Sequence, residues 1–129
     1  MTKAIPLYGA LVAAGFPSPA DDFVENDLNL DEYIVKHPAA TFFVRVQGSS
    51  MINANIFSGD ILVVDRTLLP VSGQVVIAAL NGELTVKRIK RLGERSWLVA
   101  ENDLFPSIEV TSEEALMIWG VVTWVLHKV

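Results

Sequence analysis

Two serines and one lysine are the residues whose type and setting could carry chemistry. Ser49 and Ser50 follow Gly48 at the end of the run Thr41-Phe42-Phe43-Val44-Arg45-Val46, and Met51-Ile52 comes next. A serine just past a strand, beside a flexible glycine, can present its hydroxyl and neighbouring backbone N–H groups to a cleft. Taken alone, such a Gly-Ser-Ser segment is usually an ordinary turn. Lys87 stands inside Leu84-Thr85-Val86-Lys87-Arg88-Ile89, where strand alternation puts Thr85, Lys87 and Ile89 on one face. That face lacks a solvent-side polar pattern, and burial of an amine disfavours its charged form. A neutral amine can take a proton from a serine hydroxyl, the Ser–Lys counterpart of a Ser–His pair. On the residues alone, the competing reading has Lys87 as one more member of a basic run, pointing to water.

Composition removes other chemistries. The 129 residues include no cysteine, which excludes disulfides, thiol nucleophiles and cysteine-ligated metals. With only two histidines, His37 and His127, a histidine-rich metal site is not expected, and no cofactor is implied. The formal charge of −5 argues against generic affinity for nucleic acid or anionic lipid. Lys87, Arg88, Lys90, Arg91 and Arg95 do cluster, but the cluster reads as a solvated strand and turn, so no direct DNA binding is expected. Lys3 and the stretch Ala4–Ala14 mimic a short secretory signal, yet Pro6 and Gly9 interrupt it. Ala115–Leu126 is shorter than the ~20 apolar residues a spanning helix needs, and Val121, Val122 and Val125 favour a buried strand. A cytoplasmic protein without membrane association is the expectation.

The elements that must position the serine and the lysine are mostly strands. Residues 1–30 carry Pro6, Gly9, Gly15, Pro17 and Pro19, a rhythm that forbids a long helix and predicts an extended N-terminal arm. Residues 31–129 read as one domain. Asp31–Lys36 predicts a short helix ending before Pro38. Strands are predicted at 41–46, at 61–64 after the Ser58-Gly59-Asp60 turn, and at 74–80, 83–89, 97–100 and 119–125. Asn81-Gly82 between two of them signals a type I′ hairpin, since both central residues need positive φ. Thr111 and Glu114 form a possible capping box. Trp119–Val125, an apolar strand near the end of the chain, invites a partner and makes a dimer plausible. The predicted fold is a mostly β barrel or sandwich with short helical turns.

Four ordered segments carry a family resemblance: Ala14-Gly15-Phe16-Pro17-Ser18-Pro19-Ala20, Gly48-Ser49-Ser50-Met51, Gly59-Asp60-Ile61-Leu62-Val63-Val64-Asp65 and Asn81-Gly82-Glu83-Leu84-Thr85-Val86-Lys87. Smaller matches continue at Glu101-Asn102, Phe105-Pro106-Ser107-Ile108 and Trp119-Gly120-Val121-Val122. Together they resemble UmuD-like proteins of the LexA/UmuD Ser–Lys self-cleaving family, from Gly15 to the end of the chain. The resemblance implies the LexA/UmuD C-terminal, signal-peptidase-like β fold. It implies Ser50 as nucleophile, Lys87 as general base, the backbone N–H groups of Ser49 and Ser50 as oxyanion donors, and Ala14–Gly15 as the scissile bond. It further implies a homodimer, a UmuC-type Y-family polymerase as partner in translesion synthesis, and stimulation by the RecA–single-stranded DNA filament during the SOS response. A proline-interrupted arm cannot build a helix-turn-helix, so a DNA-binding repressor is not expected. The other readings are a non-cleaving regulatory subunit of a polymerase and a processing peptidase acting on other proteins.

Overall fold

The computed structural model describes residues 5–8, 15, 24–111 and 116–129. The chain divides into two compact units, Met1–Lys36 and His37–Val129. In the first, strand β1 (Ile5–Tyr8) pairs antiparallel with β2 (Val24–Leu28), Ile5 lying opposite Leu28 and Leu7 opposite Asn26. The reading of residues 1–30 as an arm did not anticipate this ladder. Pro6 is tolerated in it because a two-stranded sheet consists only of edges. A single helical turn, α1 (Leu30–Ile34), follows, with Asn29 as its N-cap accepting from the Glu32 N–H at 3.4 Å. It starts a residue earlier than predicted, because asparagine is a favoured cap, and it stops at Val35, which is extended.

The second unit is an antiparallel sheet of seven strands: β3 (Thr41–Arg45), β4 (Ile61–Asp65), β5 (Val75–Leu80), β6 (Glu83–Leu92), β7 (Arg95–Val99), β8 (Ile108–Val110) and β9 (Leu116–Leu126). Their order across the sheet is β3-β4-β9-β5-β6-β7-β8. The mostly β expectation holds. The β5–β6 hairpin turns at Asn81 and Gly82, with φ of 51° and 85°, the left-handed pair that a type I′ turn requires. Its register sets Lys87 opposite Val76. β8 escaped the sequence reading because three residues are too few to show alternation. Residues 112–115, and with them the capping box read at Thr111 and Glu114, lie outside the described part.

β9 corrects one expectation. Far from wanting a neighbour, it lies between β4 and β5 and is hydrogen-bonded to both. The edge-strand argument for a dimer therefore fails, since both backbone edges of β9 are already hydrogen-bonded within the chain. β9 also carries one extra residue against each neighbour. Thr123 is skipped between Val122 and Trp124 in the pairing with β4, and Trp119 between Ile118 and Gly120 in the pairing with β5. Such bulges raise local twist and bend a strand. Where β9 bends, Gly120 passes so close to β4 that an added Cβ would sit 2.6 Å from Val64 Cγ1 and 3.0 Å from the Asp65 carbonyl oxygen.

Both faces of the sheet are packed. Val46, Met51, Ile56, Leu62, Val64 and Ile77 form one buried cluster. Val76, Ala78, Ile89, Leu98 and Val121 form the other. Successive residues of β5 alternate between the two, so this strand is buried on both sides, as its unbroken apolar run requires. The only histidines, His37 and His127, bond the buried carboxylates flanking β4: Nδ1 of His37 lies 2.6 Å from Asp65 Oδ2, and Nδ1 of His127 lies 2.7 Å from Asp60 Oδ1. Asp60 also accepts from the Phe57 N–H, and Asp65 from the N–H and hydroxyl of Thr67. Burial pushes both carboxyls up, but these bonds and the histidines outweigh it and hold each below its ordinary value. Among the described residues no helix is long and apolar enough to cross a membrane.

Two outcomes are expected. Gly120→Ala should lower unfolding stability by about 1–3 kcal/mol in urea titration, because backbone on β4 cannot yield as a flexible side chain would. Since Asp60 and Asp65 titrate lower when folded, the stability they confer is complete above the ordinary carboxylate value of 3.8. It is lost as pH falls through their lower folded values. Asp65→Asn should therefore flatten the acid limb of a plot of thermal midpoint against pH, and an unchanged limb would refute that origin.

Candidate active site

Ser50 sits on a loop closed at its base and plugged at its middle. The Val46 N–H donates to the Asp60 carbonyl and the Gly59 N–H to the Val46 carbonyl, both at 2.8 Å, which closes the segment between β3 and β4. Gly48 turns the chain with a φ of 98°, a conformation that L side chains resist. Met51, the next residue after Ser50, is 1% exposed and anchored in the first core cluster. A turn of 3-10 helix, Ile52–Ala54, then ends at Asn55 in the left-handed region. An apolar plug beside the serine leaves its hydroxyl little freedom to wander.

Lys87 comes from β6, on the face that the alternation assigned to it. It is 9% exposed, and Ile89, two residues on, is 1% exposed. Its Nζ is hydrogen-bonded to Ser50 Oγ at 3.0 Å. Among the described residues no carboxylate forms an ion pair with it. Burial therefore acts unopposed and lowers the amine's pKa below its ordinary 10.5. The structure thus brings together two side chains that the sequence singled out on separate grounds. In its neutral form, which burial favours, such an amine is a proton acceptor in reach of the hydroxyl proton.

The pair lies between two hollows. One, of about 370 Å³, is lined by Ser50 with Val44, Arg45, Gln47 and Val86. The other, of about 320 Å³, is lined by Lys87 with Leu80, Glu83, Phe105 and Pro106. Leu84 and Thr85 of β6 border both. Half-enclosed apolar surface with one hydroxyl and one amine between suits an extended peptide better than a small polar metabolite.

The remaining candidates fall as follows. The N–H groups of Ser49 and Ser50 have no acceptor within the chain among the described residues, whereas that of Gly48 donates to Ser58 Oγ at 3.4 Å. Gly15 is exposed in the first unit, and Ala14 lies outside the described residues. The basic cluster is dispersed into separate tasks. Lys87 faces Ser50, Arg88 pairs with Glu101 at 2.5 Å, Arg91 donates to the Pro70 carbonyl, and Arg95 forms a two-bond pair with Glu109 while stacking on Trp97. No group of side chains able to hold a metal occurs among the described residues.

Sequence reasoning missed the segment that ties the two sides together. Asn102, 8% exposed, donates from Nδ2 to the Ser49 carbonyl at 2.8 Å, and the Asn53 N–H donates to the Glu101 carbonyl at 2.8 Å. The one available signal was Glu101-Asn102 as one of the smaller family matches, which says nothing of what it touches.

The chain is similar to the protein MucA of Salmonella typhimurium, 47% identical over 121 residues that cover 93% of this chain and 82% of that one. It is 46% identical to the protein ImpA of Escherichia coli over 123 residues, 95% of this chain and 83% of the relative. A LexA repressor of Pseudomonas chlororaphis is 40% identical over 127 residues, 98% of this chain but 62% of the repressor. The model of the Peptidase S24-like family matches residues 6–123, taking in the Ser50 loop, the Lys87 strand and the Asn102 turn alike, and on that match the chain belongs to the Peptidase S24-like family as one of its UmuD-like members.

Proposed function

We propose that this protein is an autoproteolytic serine peptidase in which Ser50 is the nucleophile and Lys87 the general base, with Ala14–Gly15 as the bond cut. The observation that carries the reading is the 3.0 Å contact between Ser50 Oγ and a buried Lys87 Nζ. The neutral amine takes the hydroxyl proton as Oγ attacks the Ala14 carbonyl carbon. The oxyanion that forms is met by the free N–H groups of Ser49 and Ser50. Collapse breaks the C–N bond, and the Lys87 ammonium returns its proton to the departing Gly15 amine. Water, deprotonated by Lys87, then cleaves the ester between Ser50 and Ala14, releasing residues 1–14 and restoring the hydroxyl. Small Ala14 and Gly15 permit the close backbone approach this requires.

The family supports a wider setting for the same chemistry. On this reading the chain is a cytoplasmic homodimer that serves a UmuC-type Y-family polymerase in SOS translesion synthesis, and a RecA–single-stranded DNA filament promotes cutting. The filament acts by binding the docked state of the arm more tightly than the undocked state, since only differential affinity shifts a population.

Intact-mass measurement after incubation with an activated RecA filament, and separately at alkaline pH, tests the proposal. Wild type should yield a product beginning at Gly15. Ser50→Ala should yield none, and Lys87→Ala should be slowed roughly 10²–10⁴-fold. Product from Ser50→Ala but not Ser49→Ala would move the nucleophile by one residue. No product from wild type in either condition would leave a non-cleaving polymerase subunit. The rate should climb with pH and level off once Lys87 is neutral, with a midpoint below the ordinary lysine value of 10.5.

Stability should move the other way. A lysine whose folded pKa is depressed destabilises the fold throughout the range in which it is charged, and that cost vanishes above its unfolded pKa. Lys87→Met should therefore slow cutting as Lys87→Ala does, yet raise the thermal midpoint at pH 7, with the gain fading toward pH 11. A lowered midpoint at pH 7 would show that the amine is comfortably solvated.

A further inference from the structure

We infer that Asn102 is a positioning residue for the oxyanion site: it pins the Ser49 carbonyl so that the N–H of Ser50, on the same peptide plane, is aimed at the developing oxyanion. The inference rests on the self-cleavage reading of Ser50 and Lys87 and adds to it a residue that makes no contact with either reacting atom.

The argument begins with the planarity of the peptide bond. In a trans peptide the carbonyl of one residue and the N–H of the next point in opposite directions, so fixing one aims the other. The Ser49 carbonyl accepts from Asn102 Nδ2 at 2.8 Å and, less closely, from the Ile52 N–H at 3.4 Å. The N–H on the far side of that plane belongs to Ser50, the residue whose hydroxyl faces Lys87, and it has no acceptor within the chain among the described residues. An unfilled donor next to an attacking oxygen is what stabilisation of a tetrahedral oxyanion requires.

Asn102 is itself held against rotation. Its Oδ1 accepts from the Leu104 N–H at 3.0 Å, and its carbonyl accepts from the Phe105 N–H at 3.0 Å. The carboxamide is buried with both ends engaged, so it cannot flip without losing a bond. The preceding residue adds a second tie. Glu101 holds the Asn53 N–H through its carbonyl and pairs through its side chain with Arg88, the neighbour of Lys87 on β6. The segment that carries Asn102 is thus anchored to both sides of the site.

A plain turn-forming role would account for the Oδ1 bond alone, and aspartate would serve it equally well. Only the amide can also donate to Ser49. That difference makes Asn102→Asp the informative variant: it is nearly the same shape and keeps an acceptor for the Leu104 N–H, but loses the donor. Asn102→Ala removes both bonds without introducing charge.

The experiment follows self-cleavage of the full chain by intact mass across a pH series extended to the plateau, where Lys87 is neutral in every variant. Both variants should show a plateau roughly 10- to 100-fold below wild type, less than the ~10²–10³ of deleting an oxyanion donor outright. Asn102→Ala should keep the wild-type pH midpoint, and Asn102→Asp should keep a cooperative thermal transition. An Asn102→Asp plateau equal to wild type would overturn the inference, leaving Asn102 as a turn former. A preserved plateau with a shifted midpoint in Asn102→Ala would also overturn it, because the residue would then act through the surroundings of Lys87. Failure of wild type itself to cut would overturn the self-cleavage reading and take this inference with it, and Ser50→Ala run alongside identifies that case.

Discussion

An amine that is 9% exposed, with a serine hydroxyl at 3.0 Å and no carboxylate partner among the described residues, is the feature around which this fold is arranged. Left unpaired, a buried ammonium is among the costlier things a protein can hold, and it responds by losing its proton. The contact also joins two parts of the chain with no local reason to meet, a strand of the β5–β6 hairpin and the loop between β3 and β4. Its precision depends on how firmly each part is held, since a displacement of about 1 Å in a reacting group can cost on the order of a hundredfold in rate.

The firmness comes from a closed ring of contacts. Lys87 and Arg88 are consecutive on β6, so they point to opposite faces but share one backbone position. Arg88 binds Glu101, Asn102 follows and binds the Ser49 carbonyl, and Ser50 returns to Lys87. Moving any member strains the others. Met51 adds an apolar anchor from below, and the Asn53–Glu101 bond braces the ring across its middle. Four of the five basic residues that might have formed a nucleic-acid patch, Lys87, Arg88, Arg91 and Arg95, are engaged in such local pairings, which leaves Lys90 exposed, in keeping with the net charge of −5.

What could be read from the sequence was what local chemistry dictates. Asn81-Gly82 announced its hairpin because two successive positive φ values suit few other pairs, and once the hairpin was placed, alternation gave the facing of Lys87. Apolar content marked β9 as a buried strand, but not its neighbours. Strand order is decided by contacts between distant residues, and the two bulges that let β9 serve both β4 and β5 leave no mark in composition. Asn102 was invisible for the same reason. Its decisive bond spans 53 residues, and an asparagine in a turn-like stretch is explained just as well by the turn.

A lysine as the proposed base has a further consequence for a peptidase whose proposed substrate is itself. Histidine, with a pKa near 6.5, is largely neutral at physiological pH and would keep the nucleophile armed from the moment of folding. A lysine must be driven down from 10.5, and here burial is the cause. Each unit by which its pKa still exceeds the ambient pH leaves a tenfold smaller armed fraction, so the resting rate is set by how dry the amine is. Seating a peptide in the hollows beside Ser50 and Lys87 removes more water from it and raises that fraction at the moment of docking. On the proposed mechanism, substrate placement and base activation thus become one event.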